Sequence, residues 1–141
     1  MTFKEWTAVI QVGTGVAVGI WLYRDADGLM PATIELAAQR TLWAMGGVIV
    51  VNVVASIVIA ILVSIARGEE LKDERSDERD HSVNRRGMRN AYLVASIGGL
   101  GVLIYLALGG NPPGAAYGLF AALMLAGMTD AVSRLVYYRI G

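Results

Sequence analysis

"TLWAMGGVIVVNVVASIVIAILVSIA", residues 41–66, decides the fold class. It carries no charged residue, and Asn52 and Ser56 are the polar side chains in its middle. A hydrocarbon core of about 30 Å needs roughly 20 apolar residues in a helix, so this stretch is long enough to cross a bilayer. Inside lipid every backbone N–H and C=O must be satisfied within the spanning structure, which leaves helices and closed barrels. A barrel would show strands of about 10 residues with alternating polarity, and no such alternation occurs. The stretch reads as a membrane helix.

Three more stretches of the same kind flank it, at residues 6–23, 91–108 and 115–138. The whole chain is 55% hydrophobic and 17% charged, more apolar and less charged than a soluble domain. The expectation is an all-α integral membrane protein: one domain, residues 1–141, built as a four-transmembrane-helix bundle. The first stretch follows Lys4, as a signal peptide would. It ends in "GIWLYRDADG" without a small-x-small cleavage pattern, so it reads as a retained span with Trp21 and Tyr23 as interfacial anchors. The chain has no cysteine, which removes disulfides and thiolate chemistry.

Orientation follows from the cations. Four spans put the N-terminus, the segment 67–90 and the C-terminus on one side. That side holds Lys4, Arg67, Lys72, Arg75, Arg79, Arg85, Arg86, Arg89, Arg134 and Arg139; the other holds Arg24 and Arg40. Lys and Arg near span ends stay in the cytoplasm, so both termini and the charged segment are expected there.

The loops differ. "GGNPPG", residues 109–114, carries two prolines and three glycines and reads as a tight turn joining helices three and four. In the first loop Pro31 suits a helical first turn, so helix two is expected to start ahead of the membrane. Small residues recur where helices would meet: Gly15 and Gly19; Ala95, Gly98, Gly99 and Gly101; Gly118, Ala122 and Ala126. They serve packing within the bundle or between copies in a homo-oligomer. Gln11, Thr14, Asn52 and Ser56 are expected to hydrogen-bond across helices. No ionisable residue lies near the middle of a span. Asp130 and Arg134 share a helix face at i,i+4 and read as a structural ion pair, with Arg89 a further partner across the hairpin.

The charge block itself, "LKDERSDERDHSVNRRGMRNAY" (residues 71–92), repeats DER at a four-residue step. If helical, it stacks like charges in rows, which repel. Asp73, Glu74, Arg75, Asp77, Glu78 and Arg79 are therefore candidates for a docking surface on a continuation of helix two or three; the alternative is a solvated loop that only sets topology. Asp77 and His81 have the spacing of a helical metal-ligand pair, but one His among alternating arginines is a thin ligand set, and no metal or cofactor is expected. Arg85, Arg86 and Arg89 lie just ahead of helix three, where they reach lipid head groups.

"DERSDERDHSVNRRGMRNAYLV", two following apolar stretches and the ending "DAVSRLVYYRIG" resemble a family of uncharacterised small prokaryotic four-span membrane proteins. That family has a DER-type cytoplasmic loop and a terminal aromatic-basic tail. The likeness rests on Asp77, Glu78, Arg79, Arg89 and Tyr137–Tyr138–Arg139. It implies a multi-pass protein of the prokaryotic inner membrane, without a known enzyme activity, encoded beside small helix-turn-helix regulators. The expected function is non-enzymatic: the block docks a cytoplasmic protein, such as such a regulator, while the helices contact membrane lipids, with no direct binding of nucleic acid. The alternative is a small transporter, channel or immunity-type protein acting through the bundle.

Overall fold

The computed structural model describes residues 3–28, 31–67 and 78–140. They form four helices: α1 (Phe3–Gly28), α2 (Ile34–Arg67), α3 (Glu78–Ala107) and α4 (Pro112–Ile140). No strand occurs among the described residues. All four helices are long and apolar enough to cross a membrane.

Each boundary has a local cause. Ahead of α2 the Leu36 N–H donates to Thr33 Oγ1 at 3.4 Å, which makes Thr33 the N-cap. Pro31 thus precedes the cap and is not in the first turn. Had Pro31 opened the helix, the cap would have fallen on Met30, whose side chain has no oxygen. α2 has 34 residues, about 51 Å at about 1.5 Å per residue, and so exceeds a bilayer core.

The α3–α4 turn satisfies its own backbone. Gly110 N–H donates to Tyr105 O at 2.9 Å and Gly109 N–H to Leu106 O at 3.0 Å, the paired bonds of a Schellman motif. Gly109 sits at φ +87°, where L side chains are strained. α4 then starts on Asn111, whose Oδ1 accepts from Gly114 N–H at 2.6 Å. Its first two residues, Pro112 and Pro113, have no N–H to satisfy. Tyr105 closes the turn: its hydroxyl accepts from Asn111 N–H at 3.3 Å, and a Cβ on Gly110 would lie 2.4 Å from its ring.

α4 is the centre of the bundle. It packs against α1, α2 and α3, and α1 also packs against α2, whereas among the described residues α3 lies against α4 alone. The buried residues of α4 are Ala115, Tyr117, Phe120, Ala122, Ala126, Asp130 and Ala131, mostly small, so that backbones approach closely. One such approach is at Gly98, where an added Cβ would stand 2.4 Å from Ala122 Cβ. Gly15 lies against Met128, and Gly118 against Val102. Gly19, Gly99 and Gly101 face open space instead, so only part of the small-residue pattern serves packing within the chain.

The large aliphatic side chains point outward. Ile57, Ile61 and Leu62 are more than half exposed, and the apolar window of α2 has no buried residue. Water would not tolerate so continuous an apolar surface. The arrangement is consistent with a multi-pass membrane protein.

Candidate functional site

Polar side chains gather at the two ends of the bundle. At the end that holds the α3–α4 turn, Arg40 Nη1 of α2 donates to both carboxylate oxygens of Asp25 in α1 at 3.1 Å. Tyr117 of α4 donates its hydroxyl to Asp25 Oδ2. Three helices are tied by one carboxylate. Beside it Trp21 and Phe120 meet edge to face, with ring centroids 6.5 Å apart. Sequence reading assigned Arg40 only to the cation balance and missed this cluster, because Asp25 and Arg40 are joined through a loop and no periodicity links them to Tyr117. Tyr117→Phe removes a hydrogen bond to a charged group and should lower stability by about 1.5 kcal/mol, read as a drop in the thermal unfolding midpoint in detergent. No change would show that Arg40 alone satisfies Asp25.

The opposite end is more elaborate. Arg134 Nε donates to Asp130 Oδ1 at 3.0 Å, and Arg134 Nη2 pairs with Asp130 Oδ2. Asp130 is 8% exposed, and the Arg134 side chain is 34% exposed. The carboxylate fits against α3 because residue 87 is glycine: a Cβ there would lie 2.6 Å from Asp130 Oδ1. Arg89 is exposed and does not reach Asp130. Instead Asn90 ties the helices, donating from Nδ2 to Ser133 Oγ at 3.0 Å and to Tyr137 Oη at 3.2 Å. A turn or more further out, Tyr138 Oη donates to Asp80 Oδ1 at 2.9 Å, and the Arg86 guanidinium stands 5.8 Å from the Tyr137 ring centroid, within cation–π range. The terminal aromatic pair therefore clamps the polar start of α3.

Of the docking candidates, Asp73, Glu74, Arg75 and Asp77 lie outside the described residues, and Glu78 and Arg79 open α3. α3 thus continues the apolar stretch at 91–107 outward, through Arg85, Arg86 and Arg89, without a break. These three arginines are exposed. His81 is exposed as well, and no cluster of three or more potential metal ligands occurs among the described residues.

The polar residues within the spans act differently from expectation. Asn52 Nδ2 donates to Val48 O at 2.8 Å, Ser56 Oγ to Asn52 O at 2.7 Å, and Thr14 Oγ1 to Ile10 O. Each bonds back to its own helix at i−4 rather than across the bundle. Short polar side chains reach that carbonyl without ordering a partner helix.

Cavities lie between the helices, and two of them reach the polar end of the bundle or its centre. One, of about 300 Å³, lies among α1, α3 and α4 and is lined by Gln11, Asp80, His81, Asn84, Arg134 and Tyr138. The other, of about 380 Å³, lies among α1, α2 and α4. Compared with known proteins, the chain matches no family model, no curated protein and no solved structure.

Proposed function

We propose that this is a multi-pass inner-membrane protein with both ends in the cytoplasm, acting without catalysis, whose charged segment docks a soluble protein partner. The continuity of α3 supports the reading best. Its 30 residues extend about 45 Å, and a core of about 30 Å leaves about 15 Å to project beyond the apolar stretch. The clamp of Tyr137 and Tyr138 on Arg86 and Asp80 fixes the direction of that projection. A surface held in one orientation loses less entropy on binding than a floppy loop.

A partner of complementary charge would pair with the acidic and basic side chains of the DER repeat and gain specificity from them. The exposed Arg85, Arg86 and Arg89 sit where anionic head groups attract cations. A transporter reading lacks the ionisable groups near the midplane that conduction pathways use: no charged residue lies between Arg40 and Arg67 in α2 or beyond Arg89 in α3.

A charge-preserving scramble of residues 71–79 tests the proposal. It leaves the cation balance that sets topology intact and spares Asp80 and His81. Normal insertion with loss of a partner that the native chain retains, and whose capture weakens with added salt, is the expected result. Unchanged partner capture by the scrambled chain would reduce the segment to a spacer.

A further inference from the structure

The cavity of about 380 Å³ among α1, α2 and α4 lies around the middle of two apolar stretches. Val48, Asn52 and Ser56 reach it from residues 41–66, and Met124, Gly127 and Met128 from residues 115–138. No ionisable side chain lines it. Carboxamides nevertheless converge there from two helices. Gln11 of α1 is half-buried and has no hydrogen-bond partner among the described residues. Its Nε2 reaches toward α4, 3.8 Å from where a Cβ on Gly127 would stand. Asn52 of α2 gives one N–H to Val48 O at 2.8 Å, which leaves its second N–H and its side-chain oxygen. A polar group in an apolar interior is costly unless something pairs with it, so this cavity calls for an occupant that forms hydrogen bonds.

We propose that the cavity binds the head group of a membrane quinone: an uncharged, flat ring system with two carbonyl oxygens, taken up from the lipid phase. The inference rests on the membrane placement proposed above and not on the docking role.

The lining selects that chemistry. It excludes an ion, which would lose its hydration there without meeting a counter-charge. An acyl chain fits the space but leaves the Gln11 amide unpaired. Carbonyl oxygens accept from Gln11 Nε2 and from the second Asn52 N–H, and the reduced, hydroxyl-bearing form donates to the oxygens of the same two amides. One pair of side chains therefore serves either form.

Size and access agree with this. A cavity of about 150 Å³ holds benzene, so about 380 Å³ admits a head group of two fused rings. Met124 and Met128, one helical turn apart, adapt to an irregular guest and make favourable sulfur–aromatic contacts. Gly127 has no side chain to fill the space. Ile49 and Val53 border the cavity on α2 and are more than half exposed on the outer surface of the bundle. A lipid-soluble molecule thus enters sideways and need not cross either polar end.

The test uses the full chain, purified and delipidated in detergent, with thermal unfolding followed at matched concentrations of three probes. Menadione has two carbonyl oxygens on fused rings, methylnaphthalene has the rings without the oxygens, and naphthoquinone sulfonate adds a negative charge. The chain has no cysteine for a quinone to alkylate. Menadione should raise the Tm by roughly 5 °C, and each of the other two by less than half as much. Gln11→Leu replaces an unpaired amide with hydrocarbon of similar size. Without probe its Tm should equal or exceed that of the native chain, and its menadione response should fall by more than half. Gly127→Leu, which fills the cavity, should lose the response; if it does not fold, Gln11→Leu decides the matter. Partition of menadione into the micelle is common to native and variant chains, so their difference reads the site. No shift with menadione would leave water as the occupant and overturn the proposal. An equal shift with methylnaphthalene or with the sulfonate would overturn the quinone assignment. An undiminished response in Gln11→Leu, or a lower Tm of that variant without probe, would overturn the site.

Discussion

Gly98→Ala should destabilise the protein by about 1 to 3 kcal/mol, while Gly99→Ala, one residue along the same helix, should be neutral or stabilising. The two differ only in what the new methyl group meets. At Gly98 it would stand 2.4 Å from Ala122 Cβ and 3.3 Å from Ala122 Cα, and at Gly99 it meets nothing within 4 Å. The first contact is with a short side chain rooted in the α4 backbone, so relief requires the helices to separate. Alanine otherwise improves on glycine in a helix by up to about 1 kcal/mol, which sets the sign at Gly99. Because α3 packs on α4 alone among the described residues, a larger residue such as Gly98→Leu should release α3 from the bundle. Thermal unfolding in detergent, with protease sensitivity of the α3–α4 turn, measures this. Equal effects at Gly98 and Gly99 would mean that the α3–α4 contact is not the one described.

Asp130→Ala should cost about 1 to 3 kcal/mol. Removing one partner of a fully buried pair costs about 3 to 5 kcal/mol, and the partial exposure of Arg134 reduces that figure. The substitution leaves a guanidinium beside an apolar bundle with its partner gone. Asp130→Ala combined with Arg134→Ala should recover part of the loss, giving a coupling energy above the additive expectation. Gly87→Ala offers an independent check, since its methyl group would collide with Asp130 Oδ1 from α3. Strict additivity of the two single losses would show that the pair carries no interaction energy.

The four helices are legible in the sequence because lipid as a solvent demands uninterrupted apolar runs. Residues 41–66 satisfy that demand without help from any other part of the chain. The 109–114 turn is legible for a related reason, since Gly109, Asn111, Pro112 and Pro113 each have a specific backbone task. What escapes sequence reading is the polar half of the design. The first part of α3 reads from sequence either as a continuation of a helix or as a solvated loop, because charge and polarity mark solvation without distinguishing a helix from a coil; what holds it, Tyr137 and Tyr138, lies some 50 positions away. Gly87 and Asn90 carry no periodic signal either. One matters for the side chain it lacks and the other for two partners on α4. The misreading of Asn52 and Ser56 has a simple cause: both are able to bond to either a neighbouring helix or their own carbonyls, and composition does not choose between the two.

The placement of the charged start of α3 on the cytoplasmic side is the claim on which the functional reading stands. The chain has no cysteine, so single substitutions give unambiguous labelling sites. Leu108→Cys, at a turn position 83% exposed, and Arg85→Cys, on the exposed polar part of α3, can each be treated with a membrane-impermeant maleimide in intact cells and again after permeabilisation. The account predicts that Cys at 108 is labelled in intact cells and Cys at 85 only after permeabilisation. Labelling of both positions in intact cells, or of position 85 alone, would contradict it.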